Sequence, residues 1–465
     1  MNVRPSTLMK RYRVVRVLAR MLQLSVLLVE PLAAGVAATN YTAAATNDPG
    51  ARLSIWSVSN SVPATNEITF AEFLNEVAQA NLDYAAQRYN MDIARAAVAI
   101  AKEFPNPTLN LNGARDLRFH GDQAQTQARG VGIDQTIEYF GKRKWRARVA
   151  DQAYRAAAAT LEDFLRNLKV DASEAYVAAL STQRTVEQQR KAAEYLSQLV
   201  VAQQHRLSVG DVGETDVTQS RVDELQFQSD LLNAQNDAQK AQLALCAFLG
   251  RQRGQTLLIP RGKLELEPRT LELSKLIVNA LLNRPDLIAL RHARDSAVSS
   301  IEFARANRVP DVDVGVNYTY TTASQNSIDP APSDSQIALS LSLPLPLWNR
   351  QRPEIQTAKY NAEQAEEALQ SAELKAEVQL RQSFATYQIM RERVLKFQSE
   401  LLKGADDVLT AKRFSYEHGQ TTLLDLLDAQ RDDNDIHQSY NDALADQANA
   451  LIELERAAGL WDVDF

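Results

Sequence analysis

The residues best suited to chemistry gather in one stretch, Arg413 to Gln430, which reads RFSYEHGQTTLLDLLDAQ. Gly419 interrupts a helical run there. Asp425 and Asp428 follow it one helical step apart, so two carboxylates share a face just past a turn. The plain alternative for this pair is a solvated helix face. Elsewhere chemistry is sparse. The five histidines, His120, His205, His292, His418 and His437, show no metal-ligand spacing among themselves. Asp432, Asp433 and Asp435 form a short acidic cluster that reads as another solvated helical face. No HExxH, CxxC, Walker loop or GxSxG is present. The expectation is therefore no catalytic residue, no cofactor and no metal site, and a protein that is not an enzyme. Cys246, the one cysteine, sits in an apolar helical stretch and reads as core filler.

What positions the two aspartates is a duplication. Arg206 to Gln219, RLSVGDVGETDVTQ, repeats the stretch in weaker form. Gly210 answers Gly419 and Asp216 answers Asp425, both at an offset of 209. Ala80 to Arg88, ANLDYAAQR, resembles Asn283 to Arg291, NRPDLIALR. Pro107 answers Pro310 at 203, Phe140-Gly141-Lys142 answers Trp348-Asn349-Arg350 at 208, and Gly250 answers Gly459 at 209. The offset grows between Pro107 and Phe140, which assigns the length difference to the loop between them. Two repeats, 68–260 and 270–460, are expected to form one intertwined unit.

Each repeat opens with helix. Thr69-Phe-Ala-Glu72 forms a capping box, and the helical pattern stops at Pro105. The period then changes to two. Strands are expected at about 108–114 and 130–139, and again at about 311–321 and 336–345. In the second repeat Val312, Val314, Val316, Tyr318 and Tyr320 alternate with polar residues, as do Ile337, Leu339, Leu341 and Leu343. Strands of this length cross a bilayer at a tilt, with Val314 and Leu341 on the lipid side. The sequence shows no other strands to pair with these four. Four strands cannot close, and open edges in lipid cost several kcal/mol per unpaired group, so several chains must share one barrel.

A very long helix follows each hairpin. In the second repeat Ala365, Leu369, Ala372, Ala376, Leu380, Phe384, Tyr387, Met390, Val394, Phe397 and Leu401 recur in steps of 3 and 4. One narrow, alanine-rich stripe of this kind packs side by side with its neighbours, as in a coiled coil.

Of the 465 residues, 45% are hydrophobic, an ordinary value for a folded chain. The net charge of −7 and a pI of about 5.5 argue against a nucleic-acid partner. Residues 1–38 read as a signal peptide, with basic Lys10 to Arg20, an apolar run Met21 to Val29 and small residues from Ala33 to Ala38. Residues 39–67 read as an extended segment.

A signal peptide followed by two copies of helix, hairpin, long helix, tip and helix resembles the TolC family of outer-membrane efflux channels. The segments GIDQTIEYFGKR (132–143), RLSVGDVGETDV and YEHGQTTLLDLLDAQ carry the resemblance, which spans about 70–460. The first of these is more like the CzcC-like branch that serves heavy-metal exporters. The resemblance implies a mainly α chain with two β-hairpins. In the assembly, a trimeric 12-stranded outer-membrane β-barrel continues as a long periplasmic α-helical barrel. It implies a passive exit duct that docks to a periplasmic adaptor (membrane fusion) protein and an inner-membrane pump of the RND or a related type. It places Val209, Gly210 and Gly419 at the adaptor-contact tips, although Asp211 replaces the family's usual leucine. It makes Asp425 and Asp428 an acidic ring at the channel entrance, whose field attracts cations. It makes Asp216 and Tyr416 a pair that locks the gate, while Thr421 stands where the family carries a gating arginine. The competing reading is a periplasmic coiled-coil scaffold or adaptor with no membrane-spanning part.

Overall fold

Residues 66–115, 127–250, 257–266, 271–323 and 332–461 are described by a computed structural model, and all of them belong to one unit, Val62–Phe465. The signal peptide expected over 1–38, and the extended segment up to residue 65, lie outside these residues, as does His120.

The first short strand, β1 (Asn66–Thr69), leads into α1 (Phe70–Ala80), and α2 (Leu82–Lys102) follows after a break at Asn81. Thr69 and Glu72 cap α1 reciprocally, which satisfies donors that a helix start leaves bare. Asn81 caps α2 through the Tyr84 N–H, and its side-chain amide donates to the Phe248 carbonyl at 3.1 Å. The second repeat solves the same problem with a longer residue. α5 (Leu273–Asn283) and α6 (Pro285–Asn307) break at Arg284, which is buried, donates to the Ala457 carbonyl at 3.1 Å and pairs with Asp286 at 2.8 Å. In both repeats, then, the helix break ties down the end of that repeat's last helix. Those helices are α4 (Glu214–Phe248) and α9 (Leu423–Ala458).

The hairpins join into one antiparallel sheet of order β2-β3-β5-β6: β2 (Thr108–Arg115), β3 (Gln127–Ile137), β5 (Val312–Thr321) and β6 (Asp334–Ser342). The register aligns apolar residues in rows across all four strands. Leu109, Ile133, Val316 and Leu339 form one row, and Leu111, Val131, Tyr318 and Ile337 another. These rows face outward, with Leu339 81% exposed. Polar and small residues form the other face, where Thr136 donates to Asp313 at 2.5 Å and Asn110 donates to Asp134. β2 and β6 have open edges within the chain, and all nine residues of β6 are exposed.

The polar face is crowded at its centre. A Cβ on Gly315 would collide with the Asp134 carboxylate and the Ser340 hydroxyl, whereas one on Gly113 meets nothing within 4 Å. Overpacking of this kind typically costs about 1–3 kcal/mol. Gly315→Val should therefore lower the thermal midpoint of the detergent-purified protein by several degrees, and Gly113→Val should leave it nearly unchanged. Equal midpoints would show that this face is looser than its geometry.

The strands expected from the sequence number four; the described residues hold two more. β1 pairs in parallel with β4 (Leu258–Arg261). Four residues that include Pro260 are too short to show alternation, so the pattern could not reveal them. They pair with each other and leave the edges of the larger sheet open. Tyr176 pins the pair to the helices: its hydroxyl donates toward the carbonyls of Ile68 and Arg261 at 2.9 and 2.7 Å and accepts from the Arg261 N–H at 3.0 Å. Phe70 and Phe73 pack on its ring in the main core.

α3 (Lys142–Ser208) is a single rod of 67 residues, about 100 Å at 1.5 Å per residue. Lys142 at its start is buried and pairs with Asp311 at 2.7 Å, while Arg146 pairs with Glu138 at 2.6 Å and donates to the carbonyls of Ala101 and Glu103. These contacts clamp the GIDQTIEYFGKR segment between sheet and rod. The matching rod of the second repeat is α7 (Arg352–Lys396), a π-helical turn at Phe397–Leu401, and α8 (Leu402–Glu417). Leu369, Ala376, Leu380, Tyr387 and Val394 of the apolar stripe are buried, as is Phe397 at the π turn. The π turn corrects the account of the length difference. The offset between repeats is 208 at Lys142 and Arg350 but 209 at Gly210 and Gly419, so one added residue lies within the rod. A π turn is how a helix absorbs a single extra residue without shifting the register beyond it. No helix among the described residues is long and apolar enough to cross a membrane.

Candidate functional site

Both tips are built alike. α3 ends at Ser208 with Val209 as its cap, and Gly210 takes a φ of 81°, with the Asp211 N–H donating to the Arg206 carbonyl at 2.9 Å. Gly419 takes a φ of 70°, and the Gln420 N–H donates to the Ser415 carbonyl at 2.8 Å. This left-handed helix cap is cheap for glycine and strained for other residues, which is why the repeat shows as a glycine pair. Val209 projects from its tip, 68% exposed.

The helices leaving the tips differ. Thr422 caps α9: its hydroxyl accepts from the Asp425 N–H, and the Asp425 carboxylate accepts from the Thr422 N–H and hydroxyl. Thr421 adds a third donor at 2.9 Å, and Lys412 stands 3.7 Å away. Led by the Thr422 hydroxyl, then Thr421, the Thr422 N–H and Lys412, these groups hold the Asp425 carboxyl at about 2. Its folded value lies below the ordinary one, so its contribution to stability is complete above the ordinary carboxylate range. That contribution is lost as pH falls through about 2. α4 starts instead at Gly213, which has no side chain to cap it, and Asp216 occupies the position matching Asp425. Asp428 is exposed and lies 3.7 Å from Arg431, which also pairs with the buried Asp223 of α4. Thus Asp425 and Asp428 share the first turns of α9, and each has a basic neighbour.

Tyr416 does not meet Asp216. Its hydroxyl accepts from Gln203 Nε2 at 2.6 Å and Arg206 Nη1 at 3.0 Å. The Arg206 guanidinium lies 5.2 Å from the Tyr416 ring centroid and pairs with Asp211 at 2.6 Å. Its pKa is raised, chiefly by the Asp211 hydrogen bond and also by the charges of Tyr416, Asp211 and Asp216. Asp216 thus contributes its charge to Arg206, while the Tyr416 hydroxyl is held by Gln203 and Arg206. Gln203 is 1% exposed, and Tyr416 packs against apolar residues from α3, α4 and α9. Arg206 and Gln203 are functional candidates that the sequence reading leaves out. Their steps of 3 and 4 toward Gly210 put them on one face of α3, a signal present in RLSVGD but unused.

The chain matches the family model described as outer membrane efflux protein over residues 73–251 and 276–460. It belongs to the outer membrane efflux protein family. Among curated proteins, it is 22% identical over 396 residues to the cobalt-zinc-cadmium resistance protein CzcC of Cupriavidus metallidurans, covering 85% of this chain and 91% of that one. Among solved structures, the CusC channel superposes with a TM-score of 0.70 at 18% identity, over 84% of this chain and 92% of that one. The Campylobacter jejuni CmeC outer membrane channel gives 0.69 at 16% identity, over 84% and 86%.

Membership in the outer membrane efflux protein family assigns this chain its function: a passive outer-membrane channel of a tripartite efflux system, with a large periplasmic part, and not an enzyme. The reading as a periplasmic scaffold without a membrane-spanning part is set aside by the same match. Channels of the family form trimers and work with adaptor and inner-membrane pump partners.

Proposed function

We propose that this chain forms the exit duct for divalent heavy-metal ions. The observation that carries the substrate is the likeness to the cobalt-zinc-cadmium resistance protein over 85% of the chain. Deleting the protein should sensitise cells to zinc, cobalt or cadmium and leave tolerance of dyes and drugs unchanged. The opposite pattern would assign the duct to a drug pump.

The assembly in this reading is a homotrimer. Three four-stranded sheets contribute twelve strands, joined through the open edges of β2 and β6 into a barrel surrounded by outer-membrane lipid. The repeats 68–260 and 270–460 act as one intertwined unit, and the rods continue the barrel as a periplasmic tunnel behind a cleaved leader at 1–38. Val209, Gly210 and Gly419 meet the adaptor, and an RND-type pump loads the tunnel from the inner membrane. Asp425 and Asp428 line the entrance, where negative charge favours cations.

Tyr416 belongs to the lock that keeps the tip shut, with Arg206 in place of the family's gating arginine and Asp216 steering Arg206. Tyr416→Phe removes an acceptor shared by two donors and leaves the buried Gln203 amide without this partner. A lost hydrogen bond costs about 0.5–1.5 kcal/mol, and more where a buried group stays unpaired. The resting conductance of Tyr416→Phe in planar bilayers should accordingly rise severalfold. Unchanged conductance would remove Tyr416 from the lock.

A further inference from the structure

The acidic cluster near residue 433 is not a uniformly solvated face. Asp433 is 7% exposed, and its Oδ1 makes no hydrogen bond. His437 lies one turn further along α9 and points to the same side. Asp406 reaches toward both from α8. One donor atom from each of the three lies within 4.8 Å of the others. His437 Nε2 is 3.5 Å from Asp406 Oδ1 and 3.8 Å from Asp433 Oδ1.

These separations say what the cluster lacks. A hydrogen bond wants about 2.7–3.2 Å, so neither carboxylate is hydrogen-bonded to the imidazole. A buried carboxylate oxygen with no partner is costly, and burial of charge is tolerated when the group is paired or coordinates a metal. A metal ion held at about 2.0–2.2 Å by nitrogen and oxygen ligands keeps its donors roughly 3.0–3.6 Å apart. The distance to Asp406 already falls in that range. The distance to Asp433 is a few tenths of an ångström wide, a gap that the half-buried His437 ring would close by a small shift toward the buried carboxylate, with the exposed Asp406 following it. Two carboxylates balance a double positive charge. One imidazole shifts preference from calcium and magnesium toward zinc and cobalt.

We propose that Asp406, Asp433 and His437 bind one divalent transition-metal ion of the zinc and cobalt class, with water completing the shell. The site joins α8 to α9 through residues that take no part in the tip contacts of Tyr416, Asp425 and Asp428. It does not depend on which solute the channel carries.

The test uses the full-length protein in detergent, stripped of metal with a chelator and dialysed against micromolar zinc. Metal is counted by mass spectrometry, and thermal midpoints are read with and without zinc. The expected result is one zinc ion per chain and a higher midpoint with zinc. His437→Ala and Asp433→Asn should each weaken binding by about tenfold or more and abolish the zinc-dependent shift. Asp432→Asn should bind as the parent does. Because Asp433 is buried, its variant could also disturb packing, so Asp406→Ala, at an exposed position, is the cleaner arm and should lose the metal without zinc-free destabilisation. Zinc binding below one per chain in the parent would overturn the proposal. So would undiminished binding in His437→Ala or Asp406→Ala. Loss of the site would leave the channel reading standing, since conductance is a separate measurement.

Discussion

Val314→Arg should abolish assembly in the outer membrane, while Gln336→Arg should leave it close to normal. Val314 sits on the outward apolar face between Gln135 of β3 and Leu341 of β6. Arginine facing lipid on a barrel strand costs up to roughly 2–4 kcal/mol, the full amount at mid-membrane. In a trimer the substitution is present three times, so the total is comparable with the whole stability of an ordinary domain. Gln336 lies on the opposite face beside Thr319 and is already long and polar, so arginine there keeps its length and can reach water. The measurement is the yield of heat-resistant oligomer in outer-membrane fractions, with light scattering for its mass. Equal yields would show that the two faces are assigned the wrong way round.

Asp425→Asn combined with Asp428→Asn should sharply reduce the preference of the open channel for cations. Asparagine rather than alanine is the informative choice. The Asp425 carboxylate closes the cap of α9, and losing a cap typically costs about 1 kcal/mol, so an alanine variant would mix capping with charge. The asparagine oxygen can still accept from Thr422 while the charge is gone. Because Asp425 is held at about 2, it stays ionised at any pH where the protein is handled, and mild acid should not reproduce its loss. Lys412 and Arg431 each stand 3.7 Å from one carboxylate, and Lys412→Gln is expected to move selectivity in the opposite direction. Reversal potentials under a salt gradient report this. Full cation preference in the double asparagine variant would return both residues to the role of cap and solvated helix face.

What the sequence reveals depends on whether the signal is local. Alternation along Val312 to Tyr320 is legible because every second residue meets the same surroundings, and β5 forms there. Thr69 and Glu72 are legible as a cap because the motif is closed within four residues. β1 and β4 are not legible: four residues each, paired in parallel across nearly the whole first repeat, leave no periodic trace. The partners of Tyr416 are hidden for another reason. Gln203 and Arg206 stand more than two hundred positions away, and only the packing of α3 against α8 decides that they, and not Asp216, reach its hydroxyl. Asp433 is the same residue type as Asp432 and Asp435. Its burial depends on which side of α9 the other helices cover, and Asp406, 27 positions earlier, joins it only because α8 folds back beside α9.

The π turn at Phe397–Leu401 bears on symmetry. The two rods of one chain match in length except for one residue, which the second rod stores in that turn. A ring of three chains would carry six rods, three straight through and three with a swelling some 16 residues above the tip. Between the sheet and the swelling the six can approximate equivalent staves, with the repeats in one constant phase. Below it the extra residue has been absorbed and the two kinds of stave are again in phase, so the break in equivalence is confined to the level of the swelling. If such a tube bends at that level, three of its staves carry a π turn there and three do not, and the two sets need not yield by the same amount.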